Sequence, residues 1–236
     1  MPNKWIPIIK VLVHALCLAP VLMLVQMYRS GELAMMADPV NYITHDTGYY
    51  ALLLLIVSLA VTPVRRLHAR LANLIRFRRL LGLYAFFYAT LHLATYIFLF
   101  SGYDLPTAWA GVMTGHFGAV AEQWKLIWPT ILDDIKKRPF IQVGFFAWTL
   151  LLVLAITSPA FVMRAMGGKN WRRVHWAVYA AGCAGVIHYW WLVKKGVLAP
   201  MPFTLVLVLL LGARVFWWAK AKRAKQAKVR AVAVSR

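Results

Sequence analysis

The chain has 236 residues and is 62% hydrophobic, well above the roughly half found in soluble domains. It carries 27 Lys and Arg against 7 Asp and Glu, a formal charge of +20, but these cations sit in clusters between apolar runs. No signature of a nucleic-acid module accompanies them, so nucleic-acid binding is set aside and an integral membrane protein in contact with lipid is expected.

A membrane-crossing helix needs about 20 mostly apolar residues, and six segments qualify, at about 6–28, 48–64, 80–101, 140–160, 172–193 and 201–219. The first resembles a signal sequence, but its apolar run is too long and no A-x-A-like site follows, so it reads as an uncleaved span. The second is short. In ITHDTGYY before it, Asp46 and Thr47 are good N-cap types, Tyr49 and Tyr50 suit the interfacial belt, and His45 either belongs to the cap or touches a cofactor. Pro63, Pro139, Pro159 and Pro200 punctuate helix boundaries. Loop 102–139 holds Trp109, Trp124, Trp128 and the amphipathic run AVAEQWKLIWPTILDDIKKR. It reads as a helix lying on the membrane surface, the alternative being a docking surface for a periplasmic partner. Cys17 and Cys183 lie inside apolar runs without a CxxC pair, which reads as packing and not as a disulfide framework. With no soluble domain or internal repeat in view, the expected fold is all-α: one six-helix membrane bundle over 1–236, ending in a basic tail at 220–236.

Charge orients the bundle. Loop 29–47 sets Arg29 against Glu32, Asp38 and Asp46, and loop 102–139 balances four acids with four bases. Loop 65–79 holds six Arg and no acid, loop 161–173 holds Arg164, Lys169, Arg172 and Arg173, and seven Lys or Arg follow from Lys220. The alternation places the Arg-rich loops and both termini in the cytoplasm, with Lys194 and Lys195 the exception on the neutral side.

Seven histidines are distributed along this topology. His14 lies in the first span and reads as a packed or hydrogen-bonded core residue, otherwise a cofactor contact. His68 reads as an interfacial polar residue and His116 as a solvated one. His92 lies near the middle of the third span, and His175 and His188 share the fifth. Both spans run outward, so His92 and His188 meet in depth in the outer half, with His175 roughly 20 Å below. Two neutral imidazoles at one depth on facing helices suit the axial positions of a heme iron. The competing reading is that each only hydrogen-bonds a neighbouring helix. Tyr84, Phe87, Tyr88, Trp176, Tyr179 and Tyr189 are the aromatics expected to pack on the porphyrin. Arg78 falls at the depth of His175. An arginine is a poor iron ligand because it stays protonated, but it suits a heme propionate, so Arg78 is expected to make a propionate or second-heme contact, with Arg172 and Arg173 nearby. On an ideal helix His175 and His188 point about 140° apart, and Gly182 and Gly185 between them suit close packing or a bend.

RRLLGLYAFFYATLHLATY, AITSP, WRRVHWAVYAAGCAGVIHYWWLVKKG and, in the first outer loop, ADPVNYITHDTG together resemble the ferric-reductase-like transmembrane heme proteins over about 5–220. Within that family the chain is most similar to the heme-binding subunit of the bacterial system that repairs methionine sulfoxide in periplasmic proteins. The resemblance implies a b-type cytochrome of the bacterial inner membrane. It would take electrons from quinol or a cytoplasmic flavin reductase and deliver them to a periplasmic molybdopterin reductase, MsrP. By position His92, His175 and His188 match three of the four ligand histidines of the larger relatives, while Arg78 stands close to the place of the fourth. FMN is implied by the family alone and is assigned no residues.

The expected function is therefore transfer of single electrons through one heme b or two. No nucleophile–base pair and no acid–base carboxylate pair appears, and all seven acids fall outside the expected spans, which argues against substrate chemistry. The alternative is a proton-coupled or small-solute transporter with intramembrane histidines.

Overall fold

The computed structural model describes residues 5–234. The ends of the expected domain, residues 1–4 and 235–236, lie outside the described residues. So does Arg236 of the basic tail, and the side chains from 228 onward are not described.

Among the described residues every regular element is helical. The first, α1 (Trp5–Ser30), is followed by α2 (Pro39–Val64), α3 (Ile75–Thr95) with a π-helical turn at Tyr96–Phe100, α4 (Leu105–Met113) and α5 (Phe117–Lys137). Then come α6 (Pro139–Ile156), α7 (Ala160–Met166), α8 (Gly168–His175), α9 (Ala177–Leu192) and α10 (Met201–Val234). Among the described residues, five stretches are long and apolar enough to cross a membrane: 5–30, 39–64, 71–100, 139–156 and 201–227. The expected fifth crossing is instead divided. Trp176, in right-handed helical conformation, separates α8 from the 16-residue α9, and the surrounding hydrogen bonds tighten to Trp176–Arg173 and Tyr179–Trp176. The interruption falls there, not at the glycines. A Cβ on Gly185 would stand 3.3 Å from a Leu52 methyl, and one on Gly182 would stand 3.4 Å from a Leu59 methyl, so these glycines serve close packing.

The second helix also departs from expectation. It starts at Pro39, not near Gly48, because Asp38 caps it by accepting from the Asn41 amide at 2.9 Å and proline suits the first helical turn. Thr47 is thus no cap but a buried residue bonded to the Ile43 and Thr44 carbonyls, and Asp46 lies inside a helix.

In the bundle α2 packs along α3 and α6 along α9. The two hairpins meet through α3–α6 and α2–α9, and α10 lies against α2 and α9. The core between them holds Leu52, Leu55, Leu59, Ala85, Tyr88, Leu151, Ala181 and Leu207. Tyr88 is completely buried, its hydroxyl donating to the Cys17 carbonyl at 2.7 Å, which ties α1 to α3. Free Cys17 packs in this core, as its apolar setting predicts.

The outside is as apolar as the inside. Val11, Leu12, Leu16, Leu22 and Met23 of α1, and Leu205, Val208, Leu209, Val215 and Phe216 of α10, are all exposed. Water would not tolerate so continuous a surface, and hydrocarbon would. The chain is a multi-pass membrane protein.

Charge is distributed unevenly. The ion pairs among the described residues, Lys125–Glu122, Lys137–Asp133 and Arg138–Asp134, all belong to the α5 segment and the residue after it. At the other end Arg214 of α10 reaches into the bundle, donating to the Leu59 carbonyl at 2.7 Å and to the Tyr179 hydroxyl. Loop 102–139 is two helices. Asp104 caps α4, accepting from the Thr107 amide and hydroxyl, and those bonds hold its carboxyl below the usual carboxylate range. Trp109, Met113, Phe117, Leu126 and Trp128 of this segment are exposed.

Candidate functional site

His92 on α3 and His188 on α9 face each other across the bundle, ring centroids 5.9 Å apart and planes nearly perpendicular at 82°. Each is held in the same manner. The Nδ1 of His92 lies 2.9 Å from the Thr44 carbonyl on α2, and the Nδ1 of His188 lies 2.7 Å from the Phe140 carbonyl on α6. A carbonyl only accepts, so both Nδ1 atoms carry the proton, and both Nε2 atoms keep a lone pair. Neither Nε2 has a hydrogen-bond partner among the described residues.

Beside each ring lies a glycine. A Cβ on Gly48 would stand 3.0 Å from His92 Nδ1, and one on Gly144 would stand 2.9 Å from His188 Nδ1 and Cε1. In both hairpins the glycine is one helical turn after the accepting carbonyl and 44 residues before its histidine. The device is therefore built twice, once in α2–α3 and once in α6–α9. The seating role of Gly48, which the sequence suggests as part of the second helix's cap, and of Gly144 and the two carbonyls escaped the sequence reading. The signal was present in the equal spacing and in the aromatic pair after each glycine, Tyr49–Tyr50 and Phe145–Phe146.

The histidines line a cavity of about 270 Å³ walled by Leu52, Leu55, Ala89, Leu151, Ala181 and Gly185. Its aromatic lining is Tyr49, Tyr96, Phe100, Phe140, Phe145, Trp148 and Tyr189. Of the aromatics expected from the sequence only Tyr189 lines it. Tyr84 bonds His14, Tyr88 is core, Tyr179 holds Arg214, and Trp176 and Phe87 face outward. The π-helical turn brings Tyr96 and Phe100 to the cavity. The rim carries Asn41, His45 and Arg138.

The other candidates lie elsewhere. His175 is stacked on Trp171 at 3.9 Å, its Nε2 3.2 Å from the Thr157 hydroxyl, with no second histidine opposite among the described residues. Arg78 is half-buried and its carbonyl accepts from Ser58 at 3.0 Å. Neither lines the cavity. His14 is hydrogen-bonded to Tyr84 at 2.7 Å, but on the exposed surface of the bundle and not in its core. His116 is exposed beside Thr114.

Two imidazoles alone do not cage a bare metal ion, and no cluster of three or more His, Cys, Asp or Glu side chains occurs among the described residues. They suit an iron whose remaining ligands arrive with a flat apolar macrocycle, and the apolar cavity and the glycine-relieved histidine seats fit such a group.

Residues 47–186 match the ferric reductase like transmembrane component family. The chain belongs to the ferric-reductase-like transmembrane family. It is 44% identical over 220 residues to the protein-methionine-sulfoxide reductase heme-binding subunit MsrQ of Xanthomonas oryzae pv. oryzae (strain MAFF 311018), covering 92% of this chain and 89% of that one. The MsrQ proteins of Xanthomonas axonopodis pv. citri, at 45% over 88% of this chain and 85% of the relative, and of Herminiimonas arsenicoxydans, at 40% over 79% and 76%, are similarly related. No solved structure matches the chain. The resemblance seen in the sequence therefore holds at the level of family, and His92 and both glycines fall inside the matched region.

Proposed function

We propose that the chain is the b-type cytochrome subunit of a methionine-sulfoxide reductase system, with His92 and His188 as the axial ligands of one heme. The observation that carries this is the doubled device: two imidazoles 5.9 Å apart, each fixed with its lone-pair nitrogen free by a carbonyl and a glycine on the neighbouring helix. Heme iron supplies one-electron redox chemistry. His92 and His188 would hold it, the Thr44 and Phe140 carbonyls fix their tautomers, and the aliphatic walls would keep water out.

At the other end, His175 with Arg78 is proposed as a second-heme or propionate contact. The acceptor is proposed to be a periplasmic molybdopterin reductase of the MsrP type, and the donor quinol or a cytoplasmic flavin reductase. FMN enters on family grounds alone. The topology proposed is six crossings of the inner membrane, α8 and α9 together forming the fifth, with both termini cytoplasmic. Its support is the Arg-only loop 65–79 set against the balanced loop 102–139.

Two measurements test this. The purified chain is expected to show a Soret band and a reduced-minus-oxidised b-type spectrum. About one heme per chain would leave His175 and Arg78 without a heme to contact, since neither lines the His92–His188 cavity, and about two would make them a second site. A protein with no Soret band in excess hemin overturns the cytochrome reading. Reporter fusions after Lys220 are expected to report cytoplasm, and a periplasmic signal there overturns the topology.

A further inference from the structure

The cavity is apolar except at one edge. Among its described lining residues Arg138 is the one with a permanent charge, and no Asp or Glu lines it. Arg138 sits two residues before the Phe140 carbonyl that holds His188, and His45 sits one residue after the Thr44 carbonyl that holds His92. Both are exposed although they line the cavity, which puts them at its rim with Asn41. In the structure the Arg138 Nε meets Asp134 Oδ1 at 3.1 Å, with side chains 55% and 30% exposed. Asp134 also lies 3.5 Å from the Tyr96 hydroxyl, so its carboxylate keeps a second contact.

An exposed ion pair of this kind is worth little and yields readily to a better-placed anion. A ligand with an apolar body and a carboxylate edge fits this distribution: the body in the aliphatic and aromatic cavity, the edge against a guanidinium that makes paired, charge-assisted bonds to carboxylates. We propose that Arg138, assisted by His45, clamps the carboxylate edge of the porphyrin and is released to it by Asp134. This rests on the heme reading above and adds the residue that sets which way the macrocycle enters.

The test is competition at the full-length purified protein between iron protoporphyrin and its dimethyl ester, which has the same iron and ring but no carboxylates. The parent chain is expected to prefer the free acid by about tenfold, the lower end of what charge-assisted bonds give at a half-exposed site. Arg138→Gln is expected to erase that preference while keeping a bis-imidazole spectrum with either porphyrin, and Arg138→Lys to restore part of it. Asp134→Asn, which frees Arg138, is expected to keep or raise the preference. An unchanged preference in Arg138→Gln, or its loss in Asp134→Asn, overturns the clamp and leaves the cytochrome reading standing. A parent chain that binds neither porphyrin overturns both.

Discussion

His92→Ala and His188→Ala are each expected to weaken heme binding by about tenfold or more, so that less heme copurifies and half-saturation needs proportionally more added hemin. A tenfold loss needs only about 1.4 kcal/mol, and either substitution would remove an iron–imidazole bond where the neighbouring helix holds no second imidazole in position to replace it. Among the described residues no third His, Cys, Asp or Glu groups with the pair to hold a metal ion; His45 lines the same cavity but at its exposed rim, and His175 is engaged with Thr157 and Trp171. Each truncation also removes one hydrogen bond from a helix carbonyl, that of Thr44 or of Phe140. His14→Ala and His116→Ala are the matched controls, since one residue bonds Tyr84 on the outer surface and the other lies in a loop. Their heme content is expected to stay at the parent value. Pyridine-hemochrome assay against protein concentration reads all four. Unchanged heme in both His92→Ala and His188→Ala removes the ligand assignment.

The sequence told much about where the crossings run and about the depth at which His92 and His188 meet, because hydropathy and helical rise are one-dimensional properties. It said less about what surrounds the pair. The carbonyls of Thr44 and Phe140 belong to the backbone, so no residue type announces them. Nothing in the sequence marks Gly48 and Gly144 as seats for an imidazole until the opposing ring is in place. The aromatics failed for a related reason. Tyr88 and Tyr84 lie four and eight residues before His92, but the facing of a helix is decided by its neighbours, and α1 takes both hydroxyls. The start of α2 was misplaced because the polar run Asn41–Asp46 looks like a loop when hydropathy alone is read, although Asp38–Pro39 carries an N-cap signature. The divided fifth segment was legible only as a difficulty, two histidines about 140° apart on an ideal helix. The break at Trp176 now lies between them.

Gly144→Ala is expected to weaken heme binding by about ten- to a hundredfold, the range for disturbing the group that orients a metal-ligating histidine. The added methyl would stand 2.9 Å from two atoms of the His188 ring, closer than carbon and nitrogen atoms pack, with the helix backbone behind it. The imidazole must move, and moving it disturbs the 2.7 Å bond to Phe140 and changes how the ring stands against that of His92. Gly48→Ala acts on the other ligand by the same route, with closest contacts of 3.0 and 3.1 Å, and is expected to cost somewhat less. Two controls separate this from general damage to a packed helix. An alanine at Gly182 would meet only leucine methyls at 3.4 and 3.5 Å, and one at Gly212 would meet nothing within 4 Å. Both are expected to bind heme as the parent does. The decisive readout is spectroscopic. Gly144→Ala is expected to change the low-spin electron paramagnetic resonance signal, because the relative orientation of two axial imidazoles sets it, whereas loss of stability alone would reduce the signal without changing its shape. Parent-like heme affinity and line shape in both Gly48→Ala and Gly144→Ala would mean that the glycines do not seat the ligands, and the doubled device would lose its claim to be the reason these two histidines face one another.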